Sequence, residues 1–161
     1  MKLLTATCSL LLALPLGAMA QSDAQTPGRD LAELIFGTIE DNPEGTADMG
    51  EFVNFGEDIF ISMDYDEGGS VDLNEFTDWD FGFNFIAEDE GQQRAYQTAQ
   101  KVVFSFWDHD ADGEISRSEY HQSMISDFRR ADTDNDAFLT RDEFLSGYII
   151  NVAYRAALVG E

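Results

Sequence analysis

The chain has 161 residues, of which 32 are Asp or Glu and 9 are Lys or Arg, giving a formal net charge of −23. A surface this acidic repels phosphate backbones and anionic lipid, so direct nucleic-acid binding is excluded and cations or basic proteins are the favoured partners. Disorder is excluded as well, because 43% of the residues are hydrophobic and 13 are Phe, enough for one domain with an ordinary core.

Residues 1 to 20 read as a secretory signal peptide: Lys2, an apolar run from Leu3 to Leu16, and the small-residue pattern Ala18-Met19-Ala20. The run is too short to span a bilayer and no stop-transfer segment follows it, so no membrane insertion is expected. The single cysteine, Cys8, lies inside this segment, which leaves the mature chain without a thiol. The expected destination is the periplasm or the extracellular space. A domain without disulfides depends there on its core, or on an abundant ligand such as calcium. Residues 21 to 28, polar with Pro27 and Gly28, read as a flexible lead-in.

Four segments then align without gaps: 35 to 52, 59 to 76, 103 to 120 and 127 to 144. Each has Phe at its second position, at 36, 60, 104 and 128, and each ends in Glu-Phe or Glu-Tyr. Between the second and third copies lies the aromatic run Trp79 to Ile86, read either as a plug closing the core or as a partner-binding patch. Residues 91 to 107 follow as a helix with Ala95, Ala99, Val102, Val103 and Phe106 on one face. After the fourth copy, 144 to 158 reads as one apolar helix with Leu145, Tyr148, Ile149, Val152 and Ala156 packed inward.

In the third copy, Asp108, Asp110, Asp112, Gly113, Ile115 and Glu119 fall at the spacing of a twelve-residue calcium loop, and the chain resembles the EF-hand calcium-binding superfamily, in a bacterial-type exported form. The resemblance implies ligands from Asp108, Asp110 and Asp112, from the backbone carbonyl of Glu114, from Ser116, and from both oxygens of Glu119. In the fourth copy it implies Asp132, Asp134, Asp136, the carbonyl of Phe138, Thr140 and Glu143. Ala137 stands there in place of glycine, and positive φ at a non-glycine residue costs about 1 kcal/mol. In the second copy the ligands are Asp64, Asp66, the carbonyl of Ser70, Asp72 and Glu75, with Gly68 at a ligand position that water must fill. The first loop, 40 to 51, keeps Glu40, Asn42, Glu44, Gly45, Asp48 and Glu51. It reads as degenerate and empty, because Glu40 is one methylene too long, Pro43 stiffens the turn, and Ala47 replaces the aliphatic residue. Three calcium ions are expected.

Only twelve residues separate Glu51 from Asp64 and Glu119 from Asp132, which fits one helix serving both loops. The stripes Phe52, Phe55, Ile59, Met63 and Tyr120, Met124, Phe128, Ala131 mark those helices. Loops at opposite ends of one helix cannot pair with each other. Loop 64 to 75 should therefore pair with loop 108 to 119 through Val71 and Ile115, and loop 132 to 143 should meet the degenerate loop. The expected fold is all-α, an EF-hand helix-loop-helix domain over 29 to 161 with two hand pairs and shared helices.

No catalytic set appears, so no enzyme activity is expected: His109 lies at an outward loop position, and His121 has no second ligand residue at fixed spacing. The expected function is that of an exported calcium-binding protein acting as a calcium-stabilised interaction or regulatory module, its partner another exported, basic protein. The alternatives are a calcium buffer without a dedicated partner, or a sensor exposing an apolar groove. Only Met49, Met63 and Met124 remain in the mature chain, few for a sensor's adaptable surface.

Overall fold

The computed structural model describes residues 25–39 and 44–159. The signal peptide expected at 1 to 20, the first part of the lead-in and the first four positions of the degenerate loop lie outside the described residues. Helix α1 (Pro27–Phe36) opens with the Thr26 hydroxyl accepting the Arg29 N–H at 3.2 Å. Pro27 and Gly28, read from sequence as lead-in, are its first two residues, since proline costs no hydrogen bond in a first turn.

The chain continues through β1 (Ala47–Asp48), α2 (Met49–Met63), β2 (Ser70–Asp72), α3 (Leu73–Asp78), α4 (Phe83–Asp89) and α5 (Gln93–Trp107). It ends with β3 (Glu114–Ser116), α6 (Arg117–Ala131), β4 (Phe138–Leu139), α7 (Arg141–Gly147) and α8 (Ile149–Leu158). Helices α2 and α6, of 15 residues each, are the shared helices. The strands are two-stranded bridges between loops. In one, Val71 stands opposite Ile115, and in the other Ala47 stands opposite Leu139. Both pairings match the spacing argument.

These bridges force α2 and α6 to run antiparallel, and their contacts show it. Phe60, late in α2, meets Tyr120, early in α6, with ring centroids 5.3 Å apart, while Phe52, early in α2, meets Phe128, late in α6, at 5.8 Å. Phe52 also takes the edge of Tyr148 at 5.1 Å. Edge-on aromatic packing of this kind is worth about 0.5–1.5 kcal/mol per pair beyond area burial.

The apolar segment 144 to 158 is two helices rather than one, broken at Tyr148, where ψ is 125°. Gly147 lies directly against α6: a Cβ there would stand 2.3 Å from Ala131 Cα. The turn drops the Tyr148 ring into the core, and the open end of α7 is closed by Asn151 Nδ2 on the Phe144 carbonyl at 3.0 Å and Arg155 Nη1 on the Leu145 carbonyl at 3.0 Å. The break resets the helical phase. Ile150, Asn151, Tyr154 and Leu158 are buried, whereas Val152 and Ala156, expected inside, are exposed.

Helix α5 also turns a different face inward. Tyr96, Gln100, Val103, Phe104 and Trp107 are buried, while Val102 and Phe106 are exposed. The core face carries polar atoms with partners, Gln100 Nε2 on the Thr77 carbonyl at 3.1 Å and the Tyr96 hydroxyl on Asp80, so apolarity alone selected the adjacent stripe. The aromatic run acts mainly as a plug. Phe83 is buried edge-on against Tyr154, Phe81 stacks on Phe55, and only Phe85 is largely exposed.

Asp127, on the buried side of α6, is paired with Arg130, yet burial pushes its carboxyl up to about 6 from 3.8 despite the guanidinium. The folded chain therefore binds this proton more readily than the unfolded one, and the stability this residue contributes falls as pH rises through about 6. Asp127→Asn should gain on the parent protein as pH rises from about 4 to about 7, measured by urea unfolding in chelator; a constant difference across that range would contradict this. Gly147→Ala should lose about 1–3 kcal/mol in the same assay, because the contact it crowds is backbone.

Candidate metal centre

Each paired loop is built by the same local devices. The residue at loop position 9 caps the following helix while the Glu at position 12 reaches back to its N–H, a reciprocal capping box. The four pairs are Asp48 with Glu51, Asp72 with Glu75, Ser116 with Glu119, and Thr140 with Glu143. The turn at position 6 needs positive φ, found at Gly45 (71°), Gly69 (87°), Gly113 (94°) and Ala137 (72°). Ala137 thus takes the strained conformation its position demands.

The first Asp of each full loop bridges the turn. Asp64, Asp108 and Asp132 accept the N–H of Gly69, Gly113 and Ala137 at 3.0, 3.1 and 3.1 Å. These bonds aim carboxylates at a common point. In three sets the acidic ligand atoms lie within 4.8 Å of one another: Asp64, Asp66 and Glu75; Asp108, Asp110 and Glu119; Asp132, Asp134 and Asp136. Two unit charges at that distance repel by about 3 kcal/mol at an effective dielectric near 20, so each cluster is stabilised by a cation.

The remaining sequence-derived positions have other first partners. Asp72 accepts the N–H groups of Asn74 and Glu75 at 2.7 and 2.9 Å, and Asp112 accepts that of Glu114 at 3.0 Å. Ser116 and Thr140 use their hydroxyls in the capping boxes. Ser70 Oγ donates to Glu114 Oε2 at 2.5 Å across the β2–β3 bridge, and Phe138 takes part in the β1–β4 bridge. Glu143 is held by the N–H and hydroxyl of Thr133, both at 2.9 Å, rather than grouped with the Asp set.

The position-12 carboxylates of the third and fourth loops are kept ionised. The Ser116 hydroxyl, against the opposing effect of burial, lowers Glu119 below its usual range, helped by the N–H groups of Ser116, His109 and Asp110. At Glu143 burial works to raise the value, but the donors of Thr140 and Thr133 outweigh it and hold the carboxyl at about 2. Thr133 was not singled out from sequence. It occupies loop position 2, where the pattern requires no ligand, and its hydroxyl acts on the Glu instead. His109, at the same position of the third loop, is exposed as expected but its Nε2 lies 3.0 Å from Ser123 Oγ on α6.

The second loop differs where sequence placed Gly68. In the third and fourth loops the position-5 N–H is shared between two aspartates, Asp112 with Asp108 and Asp110, and Asp136 with Asp132 and Asp134. The Gly68 N–H goes to Asp66 alone, at 2.7 Å, and Asp64 Oδ1 is buried with no hydrogen-bond partner. A buried anionic oxygen without a donor is costly, and a hard divalent ion is the partner that satisfies it. The residues present therefore fit a metal.

No family model matches the chain. It is 27% identical over 139 residues, covering 71% of this chain and 94% of the relative, to the probable calcium-binding protein CML34 of Arabidopsis thaliana. The loop geometry and the paired helix-loop-helix units form an all-α fold of the EF-hand kind, and this likeness to a probable calcium-binding protein agrees with it.

Gly68→Asp should tighten divalent-cation binding at the second loop by about tenfold. The added Cβ meets only the Asp66 carboxylate, with Oδ1 at 2.8 Å, the far end of a side chain able to shift. Titration calorimetry checks this, and unchanged or weaker binding would contradict it.

Proposed function

We propose that this chain is an exported calcium-binding protein that takes three ions, at loops 64 to 75, 108 to 119 and 132 to 143, and works as a calcium-stabilised interaction or regulatory module. The observation carrying this reading is the recurrence of three carboxylate clusters within 4.8 Å in bridged loops, at positions 1, 3 and 12 of the second and third loops and positions 1, 3 and 5 of the fourth. The loops offer the hard oxygen ligands that calcium prefers: carboxylates, a backbone carbonyl at position 7 and, in the second and third loops, a position-12 Glu gathered with the Asp set. The likeness to a probable calcium-binding protein supports the choice of metal.

Loop 40 to 51 serves as the structural partner of the fourth loop through Ala47 and Leu139. Export, read from residues 1 to 20, puts the protein where calcium reaches the millimolar range of weak extracellular modules. Loops weakened by Gly68 or Ala137 still fill at such concentrations. Binding stabilises the folded chain by an amount set by how far calcium exceeds the dissociation constant. A fixed module is favoured over a sensor because Met63 and Met124 are buried in the core and Met49 packs against it, leaving no methionine-rich surface among the described residues.

Glu119→Gln tests the assignment without disturbing the helix, because glutamine also completes a capping box. Losing one anionic oxygen should cost about 2 kcal/mol at the third loop, roughly a thirtyfold weakening, and the effect should spread in part to the second loop across the Val71–Ile115 bridge. Calorimetry that returned the parent stoichiometry and affinities would sink the assignment.

A further inference from the structure

Two helices carry apolar seams that the core does not use. Along α5, Ala95, Ala99, Val102 and Phe106 recur at steps of four, three and four. Along α8 and just past its end, Ile149, Val152, Ala156 and Val159 recur at steps of three, four and three. This is the spacing at which one helix lays a continuous stripe against another. In both helices the core is filled from a different stripe, Tyr96, Gln100 and Val103 of α5 and Ile150, Tyr154 and Leu158 of α8. Val102 is left 49% exposed, Phe106 62% and Val152 46%.

The seams lie beside each other. Helices α5 and α8 are packed together, with the Tyr96 and Tyr154 ring centroids 4.9 Å apart. On α5, Phe104 faces α3 through Phe76 and Tyr96 faces α8, and the seam continues round the helix beyond Tyr96, so it borders α8. On α8, Leu158 and Arg155 face Gly28 of α1, which leaves half-buried Ala153 and the seam on the side of α5 and solvent. Ala99 and Ile149 are half-buried where the helices close on the core, and the exposed seam members open next to them.

Charge marks the same face. Neither α5 nor α8 contains an Asp or Glu, whereas each of the other six described helices carries at least two. On a chain of net charge −23, this is where a second acidic chain meets least repulsion. Arg94 and Lys101, both exposed on α5, favour an acidic partner over a basic one. A lipid surface fits less well, because a seam of Ala and Val inserts little apolar area and the charge of the whole chain repels anionic headgroups.

We propose that α5 and α8 form one face on which a second copy of this chain docks, the four helices of the two copies packing about a two-fold axis. Ala95, Ala99 and Ala156 let the helices approach closely, and Val102, Phe106 and Val152 fill the grooves between them. A two-fold contact uses the same patch on both copies, so a single acid-free face is sufficient. The face holds none of the loop ligands, and its test therefore separates from the calcium assignment.

The test is sedimentation velocity on the full chain, and on the chain lacking residues 1 to 20, over a concentration series in millimolar calcium. Co-sedimentation with phosphatidylglycerol vesicles is run alongside. A reversible monomer–dimer equilibrium is expected for both chains, tightening as salt screens the repulsion between two acidic copies. Val102→Glu and Val152→Glu should each weaken the dimer by about tenfold or more, with the calcium stoichiometry of the parent retained. Lys101→Glu, which keeps both seams and only adds an acid beside them, should weaken it about threefold, and it decides the matter where a seam variant fails to fold. A monomer at every concentration, a dimer indifferent to these variants, a dimer that requires residues 1 to 20, or vesicle binding in place of self-association would overturn the proposal.

Discussion

The structure depends on one constraint: twelve residues between loops leave room for a single helix, so α2 and α6 each carry a loop at both ends. A helix of 15 residues separates its end loops by roughly 20 Å, and each loop must find its bridge partner elsewhere. Pairing the second loop with the third and the first with the fourth satisfies both helices at once, provided they run antiparallel. Phe60 against Tyr120 and Phe52 against Phe128 are the packing consequence. The degenerate first loop is retained by the same logic, since without Ala47 the Leu139 strand has no partner.

Within each loop, local hydrogen bonding arranges charge that would otherwise spread. Capping boxes fix the position-12 Glu, turn N–H groups fix the first Asp, and the helix start supplies the favourable end of its dipole. Low carboxyl values at Glu119 and Glu143 follow from these donors. The acids of each cluster lie close together, an arrangement suited to a divalent ion and unfavourable without one. The chain's large negative charge accordingly has two components, one gathered in loops and one distributed as an acidic surface.

Loop positions, shared helices and bridge partners were legible because they follow from spacing, which sequence states directly. Features set by contact between distant segments were not. The break at Tyr148 depends on how closely Gly147 approaches Ala131, and nothing in the apolar run 144 to 158 records that distance. The inward face of α5 was misread because Gln100 and Tyr96 are buried with polar partners contributed by Thr77 and Asp80, so the hydrophobic pattern pointed to Val102 and Phe106. The roles of Thr133 and Ser123 were hidden for a related reason: a hydroxyl at a position without a ligand requirement shows its partner only in three dimensions. Gly68 was legible as a gap in the ligand set, and the unpartnered Asp64 oxygen gives that gap its physical form.

The central claim is that bridged pairs of loops, rather than the total acidity of the chain, bind the metal. Calorimetric titration of the chain lacking residues 1 to 20, with thermal melts in calcium, magnesium and chelator, tests it most directly. The account predicts three calcium ions per chain and a melting temperature raised more by calcium than by magnesium at equal concentration. Fewer than two ions, or equal stabilisation by both metals as simple charge screening would give, would contradict it.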